Sequence, residues 1–440
     1  MTTKDAKLVP QKAQKTSHTP MFEMVRGMAD VLPKDQGWWK LLWQTGHAVS
    51  ELNDFHFIET PPVEPAKMFL SAAGVAEESV EKHLYLLKAK GKGGEELALS
   101  YSPKISVLRS YLEHRLAYFA SPLKVFYLAP VFRRIEEFPE HPGQFHEWGF
   151  QIIGDGDPLY DGEIILAVFD FLKALKLKQM VLKINSAGCR VCRPAFKQRL
   201  KAYYRNEKDM ICRTCEKNIE TNIFAIVHCE QEQCKEVRQN APIVLDYLCQ
   251  SCNNHFKSVL ELVEDNAVLY EPDAWLLPEN DYGTKTIFEF YVPQYPFAIA
   301  SGHRFDYLAE AFGGRVTPAM NGALGIERVI EAMKLQGLVP HPKEKPRVFF
   351  VVLGDQAKKG ALRLMQLLRA GGIAVVEVAG KKTLKAQLKS AERMNITIAL
   401  LLGQKEVFDG TVLIRDMSSG AQETILAEKL VEEVKKRINK

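Results

Sequence analysis

The sequence predicts an α+β fold: an antiparallel sheet flanked by helices, interrupted by a cysteine-rich module and followed by an α/β domain. Three observations predict it. Two apolar, β-rich runs, Val125 to Phe132 and Gln144 to Ile153, flank a Glu/Pro/Gly segment, the pattern of a hairpin with a wide loop. All eight cysteines fall between Cys189 and Cys252, as CRVC, CRTC, CEQEQC and CQSC. Beyond the proline-rich VPHPKEKP, strand and helix patterns alternate along the rest of the sequence.

At 440 residues the chain has room for two or three domains with real cores. Charged residues at 25% and hydrophobic ones at 46% describe an ordinary globular protein. A net charge of +4 tilts it only weakly toward an anionic partner. The first twenty residues, MTTKDAKLVPQKAQKTSHTP, are polar and basic and are expected to form a disordered tail over 1–20. They lack the apolar core of a signal peptide, and no later run reaches bilayer length, so a cytoplasmic location without membrane contact is expected.

Taking the elements in order, GMADVLP reads as a turn and GWWKLLWQTGHAVSELNDF as an amphipathic helix with Trp39, Leu42, Trp43 and Val49 on its inward face. FHFIETPPVEPAKMF is a short strand ended by the proline pair at Pro61. LYLLKAKGKGGEELALS is a second hairpin, turning at Gly91 to Gly94. In the main hairpin Arg133 stands at the inner end, where the rigid sheet would aim its fork of donors at a phosphate. LYDGEIILAVFDFLKALKLK has the period of a core-packing helix.

In a cytoplasmic chain, close cysteine pairs read as thiolate metal ligands rather than disulfides. Two knuckles supply four sulfurs at about 2.3 Å around a tetrahedral zinc. The eight residues Cys189, Cys192, Cys212, Cys215, Cys229, Cys234, Cys249 and Cys252 suffice for two structural zinc ions. Unmetallated thiols and an iron–sulfur cluster are the alternatives. The intervening AFKQRLKAYYRNEK and NNHFKSVLELVE carry few large apolar residues, so the module is expected to rely on metal rather than on a core of its own. Lys197, Arg199, Lys201 and Arg205 on its first helix would face phosphate or solvent.

After the linker come Val348 to Leu353, LRLMQLLRA, IAVVEVA, LKAQLKSAERM, TIALLLG and TVLIRDM, an α/β unit expected to hold a largely parallel sheet. Lys381, Lys382, Lys385, Lys389 and Arg393 fall on one helical side and Arg415 near a strand end, as phosphate contacts or as a solvated face.

Phe132–Arg133 followed at a fixed distance by Gln144, Phe145 and His146 resembles the second signature of class II aminoacyl-tRNA synthetases, in the form found in histidine-tRNA ligases. The resemblance runs from about residue 21 to the C-terminus. Pro61 matches the marker of the first signature. PAMNGALGIERVIEAM resembles the third, with Gly325 for close packing and Arg328 on the following helix. ASGHRFDYLAEAFGG resembles the family's G-G-R-Y-D turn, keeping Gly302, Arg304, Phe305 and Asp306 but placing His303 at the second glycine.

The resemblance implies a class II antiparallel sheet from 21–187 and 257–338, the insertion at 188–256, a linker at 339–346 and an anticodon-binding-like domain at 347–440. It also implies ATP and Mg, a tRNA partner and a homodimer, with Arg133 and Arg328 on the ATP phosphates. Glu147, Gln151, Asp281, Tyr282, Arg304, Phe305 and Asp306 would lie at the substrate.

Several positions depart from the family pattern. Ser102 and Lys104 stand where a Glu and a Thr hold the amino group of histidine, and a lysine repels an ammonium ion. The Gln and Glu of the hairpin are exchanged, as Glu147 and Gln151. Ile135, Glu136, Glu137 and Glu140 occupy the normally basic loop. Alignment through Thr284, Thr286, Phe288 and Glu289 puts Pro278 where an arginine neutralises the α-phosphate during adenylate formation. The expectation is a tRNA-binding relative whose histidine activation and aminoacylation are weakened, altered or lost. Its rivals are a working ligase that recruits Glu147, Arg304 or Lys285, and a regulatory relative of the kind that partners ATP phosphoribosyltransferase; the latter usually lacks the C-terminal domain.

Overall fold

The hairpin supplies the second and third strands of an eight-stranded sheet, and the burial of apolar side chains on both strands fixes its register. A computed structural model describes residues 22–73, 77–88, 94–134, 142–278, 282–340, 347–377 and 383–438. The basic tail, Gly91 to Gly93, the acidic loop with Ile135, Glu136, Glu137 and Glu140, Asp281, Lys381 and Lys382 lie outside these residues, as does most of the 339–346 linker.

In chain order the sheet strands are His56–Phe57 (β1), Leu123–Phe132 (β2), Gln144–Ile153 (β3), Val181–Ser186 (β4), Tyr270–Pro272 (β5), Thr284–Tyr291 (β6), Ala300–Arg304 (β7) and Ala319–Gly325 (β8). Their spatial order is β1-β2-β3-β8-β7-β6-β4-β5. All neighbours are antiparallel except the two edge pairs, β1 with β2 and β4 with β5. Phe132 sits opposite Gln144 and Leu123 opposite Ile153, so the two long strands are in register over their whole length.

One face of the sheet, with Phe126, Trp148, Phe150 and Phe288, packs on the Pro158–Ala174 helix through Ile164, Val168 and Phe171. The other, with Val125, Tyr127 and Ile153, packs on the Pro103–Glu113 helix through Ile105, Val107 and Leu108. Burial on both faces explains why the β3 sequence is apolar without a break from Trp148 to Ile153 apart from Gly149 and Gln151. The second expected hairpin is present as Leu86–Leu87 paired antiparallel with Leu97–Leu99.

The Gln36–Leu52 helix is rotated from the expected face. Leu42, Gly46, Val49 and Ser50 are buried, whereas Trp43 is 53% exposed. Gly46 sets the rotation: a Cβ there would lie 2.6 Å from the Trp148 ring, so that ring seats directly on the helix backbone and carries Trp43 out of the interface.

The cysteine-rich module also departs from expectation, because it has a core. Phe196, Leu200, Tyr204, Ile211, Ile219, Ile223, Phe224, Ile226 and Val227 form one buried cluster with Cys215, Cys234 and Val244. Its helices include Arg193–Asn206, Arg213–Thr221, Ile223–Val227 and Glu232–Arg238. The apolar residues were dispersed over short elements, so no single segment looked amphipathic enough, yet folding gathers them. Its last helix, Gln250–Asp265, continues past residue 256 and delivers Val259 and Val263 to the main core.

The chain divides into two compact units, Met1–His341 and Pro342–Lys440. The second unit has five strands, Arg347–Val352 (β9), Ala374–Glu377 (β10), Ile398–Leu402 (β11), Thr411–Asp416 (β12) and Gln422–Leu426 (β13), in the order β10-β9-β11-β12-β13. β9 is parallel to β10 and β11, but β12 is antiparallel to both of its neighbours. The expected largely parallel sheet is therefore half antiparallel. The six-residue Gln404–Asp409 helix ends at Gly410 in the left-handed region (φ 64°), so the chain reverses there instead of crossing over. β13 returns through a turn in which Asp416 Oδ1 accepts from the Ser418 and Ser419 amides at 2.9 and 2.8 Å, a hairpin absent from the sequence reading.

Candidate functional site

The hairpin, the start of the Pro103–Glu113 helix, Pro278, Tyr282, Gly283 and β7 converge on one polar site. Glu147 lies on β3, in register with Ala129 of β2 and Gly325 of β8. Its carboxyl is raised by burial, against the opposing pull of Arg133, Lys104 and Arg328. Lys104, in the first turn of the helix, is lowered to about 8: burial disfavours its charge, Glu147 supports it and Arg133 opposes it. Its Nζ lies 3.4 Å from His303 Nε2 and 5.8 Å from the Tyr282 ring centroid. His303 is lowered well below 6.5 by burial, with Lys104 and Arg193 adding to the effect, so its ring is neutral at pH 7. Gln151 is fully buried and donates from Nε2 to Lys104 O at 3.3 Å.

The two phosphate-site candidates sit on opposite sides of Glu147 in the sequence order of the sheet. The Arg133 guanidinium stacks over Tyr101 at 4.9 Å and Phe145 at 5.2 Å, which fixes its plane. Its backbone is held by Gly143 O at 2.9 Å, and Gly27 O accepts from the Gly143 and Gln144 amides, so the N-terminal segment braces the hairpin. Arg328 lies on the Ile326–Leu335 helix, donates from Nη1 to Ala298 O at 3.0 Å and stacks over Phe297 at 5.4 Å. Neighbouring His146 is tied to Glu327 at 2.8 Å through its ring and 2.9 Å through its amide.

Pro278 is buried beside the site; a Cβ on Gly283 would lie 2.7 Å from it. Tyr282 faces His303 at 5.6 Å between ring centroids. Asp281 lies outside the described residues. Gly302 is enforced by packing, because a Cβ there would meet Asn321 O at 2.2 Å and the Phe288 ring at 2.4 Å.

The Arg304, Phe305 and Asp306 side chains lie in the interior. Arg304 has no exposed surface and donates to Asp161, to Asp306 Oδ1 at 3.1 Å and to Asp155 O at 3.1 Å. Burial alone would raise Asp161, but Arg304 and His255 hold its carboxyl below the ordinary value. His255 Nε2 is 3.1 Å from Asp161 Oδ1, and Lys285 Nζ is 3.4 Å from Asp306 Oδ2. Asp161 and His255 carry this network and were missed in the sequence. Asp161 is one of three acidic residues on the Pro158–Ala174 helix, with Glu163 and Asp170, and nothing local marks it as the buried one.

The cysteines gather into two groups, Cys189–Cys192–Cys249–Cys252 and Cys212–Cys215–Cys229–Cys234, each with its sulfurs within 4.8 Å of one another. All eight are free thiols. A tetrahedron with arms of about 2.3 Å has edges of about 3.8 Å. The sulfurs of Cys189 and Cys192 are 3.8 Å apart, and those of Cys189 and Cys249, Cys192 and Cys252, and Cys212 and Cys229 are each 3.9 Å apart. Both donor sets therefore fit a thiophilic tetrahedral ion, and their separations are far too long for S–S bonds. Of the basic residues on the Arg193–Asn206 helix, Lys201 and Arg205 pair with Glu220 and Lys197 stacks on Phe224. Arg199 lines a surface cleft of about 510 Å³ with Tyr203, Asn206, Asn240 and Tyr247.

The family model for histidyl-tRNA synthetase matches residues 27–329, spanning the hairpin, both cysteine groups and the first turn of the Arg328 helix. The chain belongs to the histidyl-tRNA synthetase family. An anticodon binding domain model matches residues 347–437. The histidine–tRNA ligase of Dehalococcoides mccartyi strain 195 is 33% identical over 420 residues, covering 95% of this chain and 100% of that one. That of Moorella thermoacetica is 36% identical over 402 residues, covering 91% and 95%. The crystal structure of apo S. aureus histidyl-tRNA synthetase has a TM-score of 0.78 at 26% identity, covering 94% of this chain and 99% of that chain. An ATP phosphoribosyltransferase regulatory subunit/histidyl-tRNA synthetase from Bacillus halodurans C shares the fold, at TM-score 0.63 and 21% identity. Within this histidyl-tRNA synthetase family protein, no helix of the described residues is long and apolar enough to cross a membrane.

Proposed function

We propose that this chain is a tRNA-binding member of the histidyl-tRNA synthetase family in which ATP-dependent activation of histidine is weakened or lost. One observation carries the reading: the Lys104 ammonium sits 3.4 Å from a neutral His303, against Tyr282 and within reach of Glu147. That is the position from which the family's amino-acid contacts would act, and it already holds a cation with its own counter-charge. A substrate ammonium arriving there would compete with Lys104 for Glu147 and be repelled by it. Pro278, at the place of the charge-neutralising arginine, supports the same reading.

In this account Arg133 and Arg328, each immobilised on an aromatic ring, receive ATP phosphates, with Mg supplied alongside the nucleotide. Glu147, Gln151 and Tyr282 line the amino-acid side. Arg304, Phe305 and Asp306 act beneath the site, holding β7 rather than touching a ligand. The two cysteine groups hold structural zinc. The C-terminal domain, with Lys385, Lys389 and Arg393 exposed on one helix, engages tRNA in a cytoplasmic homodimer.

A second reading, an active ligase with a remodelled pocket, is favoured by the exchange of Glu147 and Gln151, which retains one carboxylate and one amide on the same strand. Histidine-dependent ATP–pyrophosphate exchange separates the two. Exchange at least about a hundredfold below that of a working synthetase is expected, alongside retained tRNA binding. Exchange at a working rate rejects the proposal in favour of the active ligase.

A further inference from the structure

The two cysteine groups are alike in their sulfurs and different in what they hold. Gly188, immediately before Cys189, accepts from the Lys285 amide at 2.8 Å, and the Ala187 amide donates to Lys285 O at 2.6 Å. Arg193, immediately after Cys192, is 7% exposed. Its Nε donates to Ala187 O at 3.2 Å, and its Nη2 donates to Gly188 O at 3.5 Å and to Gly283 O. Gly283 adjoins Tyr282, whose ring faces His303 and Lys104. The first knuckle of this group is thus bonded to one wall of the candidate active site.

The second knuckle reaches β7, the strand paired with β6. Cys249 and Cys252 open the Gln250–Asp265 helix, and His255, about one turn on, bonds to Asp161. Asp161 in turn receives Arg304, the residue after His303 on β7. Cys189 and Cys249 are 60 residues apart in sequence. An ion between them ties the two knuckles directly, in addition to the strand pairing and the Lys285–Asp306 pair that join the far ends of the two routes.

The other group connects differently. Cys212, Cys215 and Cys234 pack into a core that the module shares with Leu277, and His228 Nε2 donates to Leu277 O at 3.0 Å. That hydrogen bond is made to the segment before Pro278.

We infer that the Cys189–Cys192–Cys249–Cys252 site is a metal-dependent frame for the candidate active site, whereas the Cys212–Cys215–Cys229–Cys234 site stabilises the module's core and its packing on Leu277. Zinc in the first site fixes the Tyr282–Gly283 segment through Arg193 and β7 through His255 and Asp161. Arg193 and His255 are positioning residues. Loss of that zinc, by chelation or by thiol oxidation, loosens the pocket while leaving the sheet folded. The inference rests on the two-zinc part of the proposed function and is independent of whether histidine is activated.

The test uses the full chain carrying bound zinc and three variants, Cys249→Ser, Cys229→Ser and Arg193→Gln. Zinc per chain is measured with amide hydrogen exchange in peptides covering 282–291, 300–306 and 212–248. Cys249→Ser is expected to lose one zinc and to speed exchange in the first two peptides by about tenfold or more. Cys229→Ser is expected to lose one zinc and to speed exchange only in 212–248. Arg193→Gln is expected to keep both ions and to speed exchange in 282–291, so it decides the matter if Cys249→Ser does not fold. Equal effects of the two cysteine variants on the pocket peptides, or unchanged 282–291 exchange in Arg193→Gln, overturn the inference. A wild-type chain that binds no zinc rejects the metal assignment itself, with pyrophosphate exchange still free to fall either way.

Discussion

Lys104 is the residue on which the electrostatics of the site turn. Its folded value, about 8, lies below the ordinary 10.5 because burial outweighs the support of Glu147, with Arg133 opposing. A lysine depressed on folding binds fewer protons in the native state than in the unfolded chain between those two values. Stability therefore rises with pH from about 8 toward 10.5 and is lowest, for this group, below 8. Replacing Lys104 with Met is expected to flatten that rise, measured by urea unfolding at pH 7.5, 8.5 and 9.5. An unchanged slope in the variant would show that the lysine titrates normally. Glu147 loses a partner in the same variant, so the absolute stability at pH 7 is a less discriminating quantity than the slope.

Gly302 gives the second test at this scale. A methyl group there is aimed at a backbone carbonyl, Asn321 O, and at the Phe288 ring in the middle of the sheet. Neither neighbour is the loose end of a flexible chain. Gly302→Ala is expected to cost about 3 kcal/mol or more, read from the shift in urea midpoint. A loss below about 1 kcal/mol would mean that β7 can move away from β8. The glycine itself was legible in the sequence, as part of a motif. The reason for it was not, because Asn321 and Phe288 lie on β8 and β6, 19 and 14 positions away in the sequence.

At the scale of elements, what repeats locally was readable and what depends on distant partners was not. The β3 boundaries Gln144 and Ile153 coincide with an apolar run, and the helical period read from Leu159 onward belongs to the Pro158–Ala174 helix, both local signals. The face of the Gln36–Leu52 helix was misread because the large residue Trp43 looked like an anchor, when the small one, Gly46, admits Trp148. The direction of β12 turned on the six-residue helix before it and the left-handed Gly410, features too short to outweigh an alternating strand–helix pattern. The module core escaped notice because Phe196, Ile219 and Val227 belong to three different short helices. Local signals also yield a prediction. Asp157 caps the Pro158–Ala174 helix by accepting from the Leu159 amide at 2.8 Å. Asp157→Ala is expected to lower stability by about 1 kcal/mol and Asp157→Asn by much less, in thermal or urea unfolding. Equal losses in the two variants would point to the charge at the helix N-terminus rather than to the cap.

For the whole molecule, the separation at residue 341/342 has an energetic meaning. The C-terminal unit encloses one cluster around Val348, Phe350, Leu400 and Leu402 and another around Phe349, Val351, Ala399 and Leu401, so both faces of its sheet are covered by its own residues. A unit with complete cores has no thermodynamic need of the rest of the chain. A fragment spanning 342–440 is accordingly expected to unfold cooperatively, with a midpoint within about 5 °C of one of the transitions seen for the full chain in calorimetry. All eight cysteines lie in the other unit. A strong zinc chelator should therefore lower the transition of that unit alone, by about 5 °C or more, and leave the fragment-matched transition in place. The outcome that contradicts this division is a fragment without a cooperative transition, or a chelator that shifts both transitions together, since either would require the C-terminal sheet to draw its stability from residues outside its own cores.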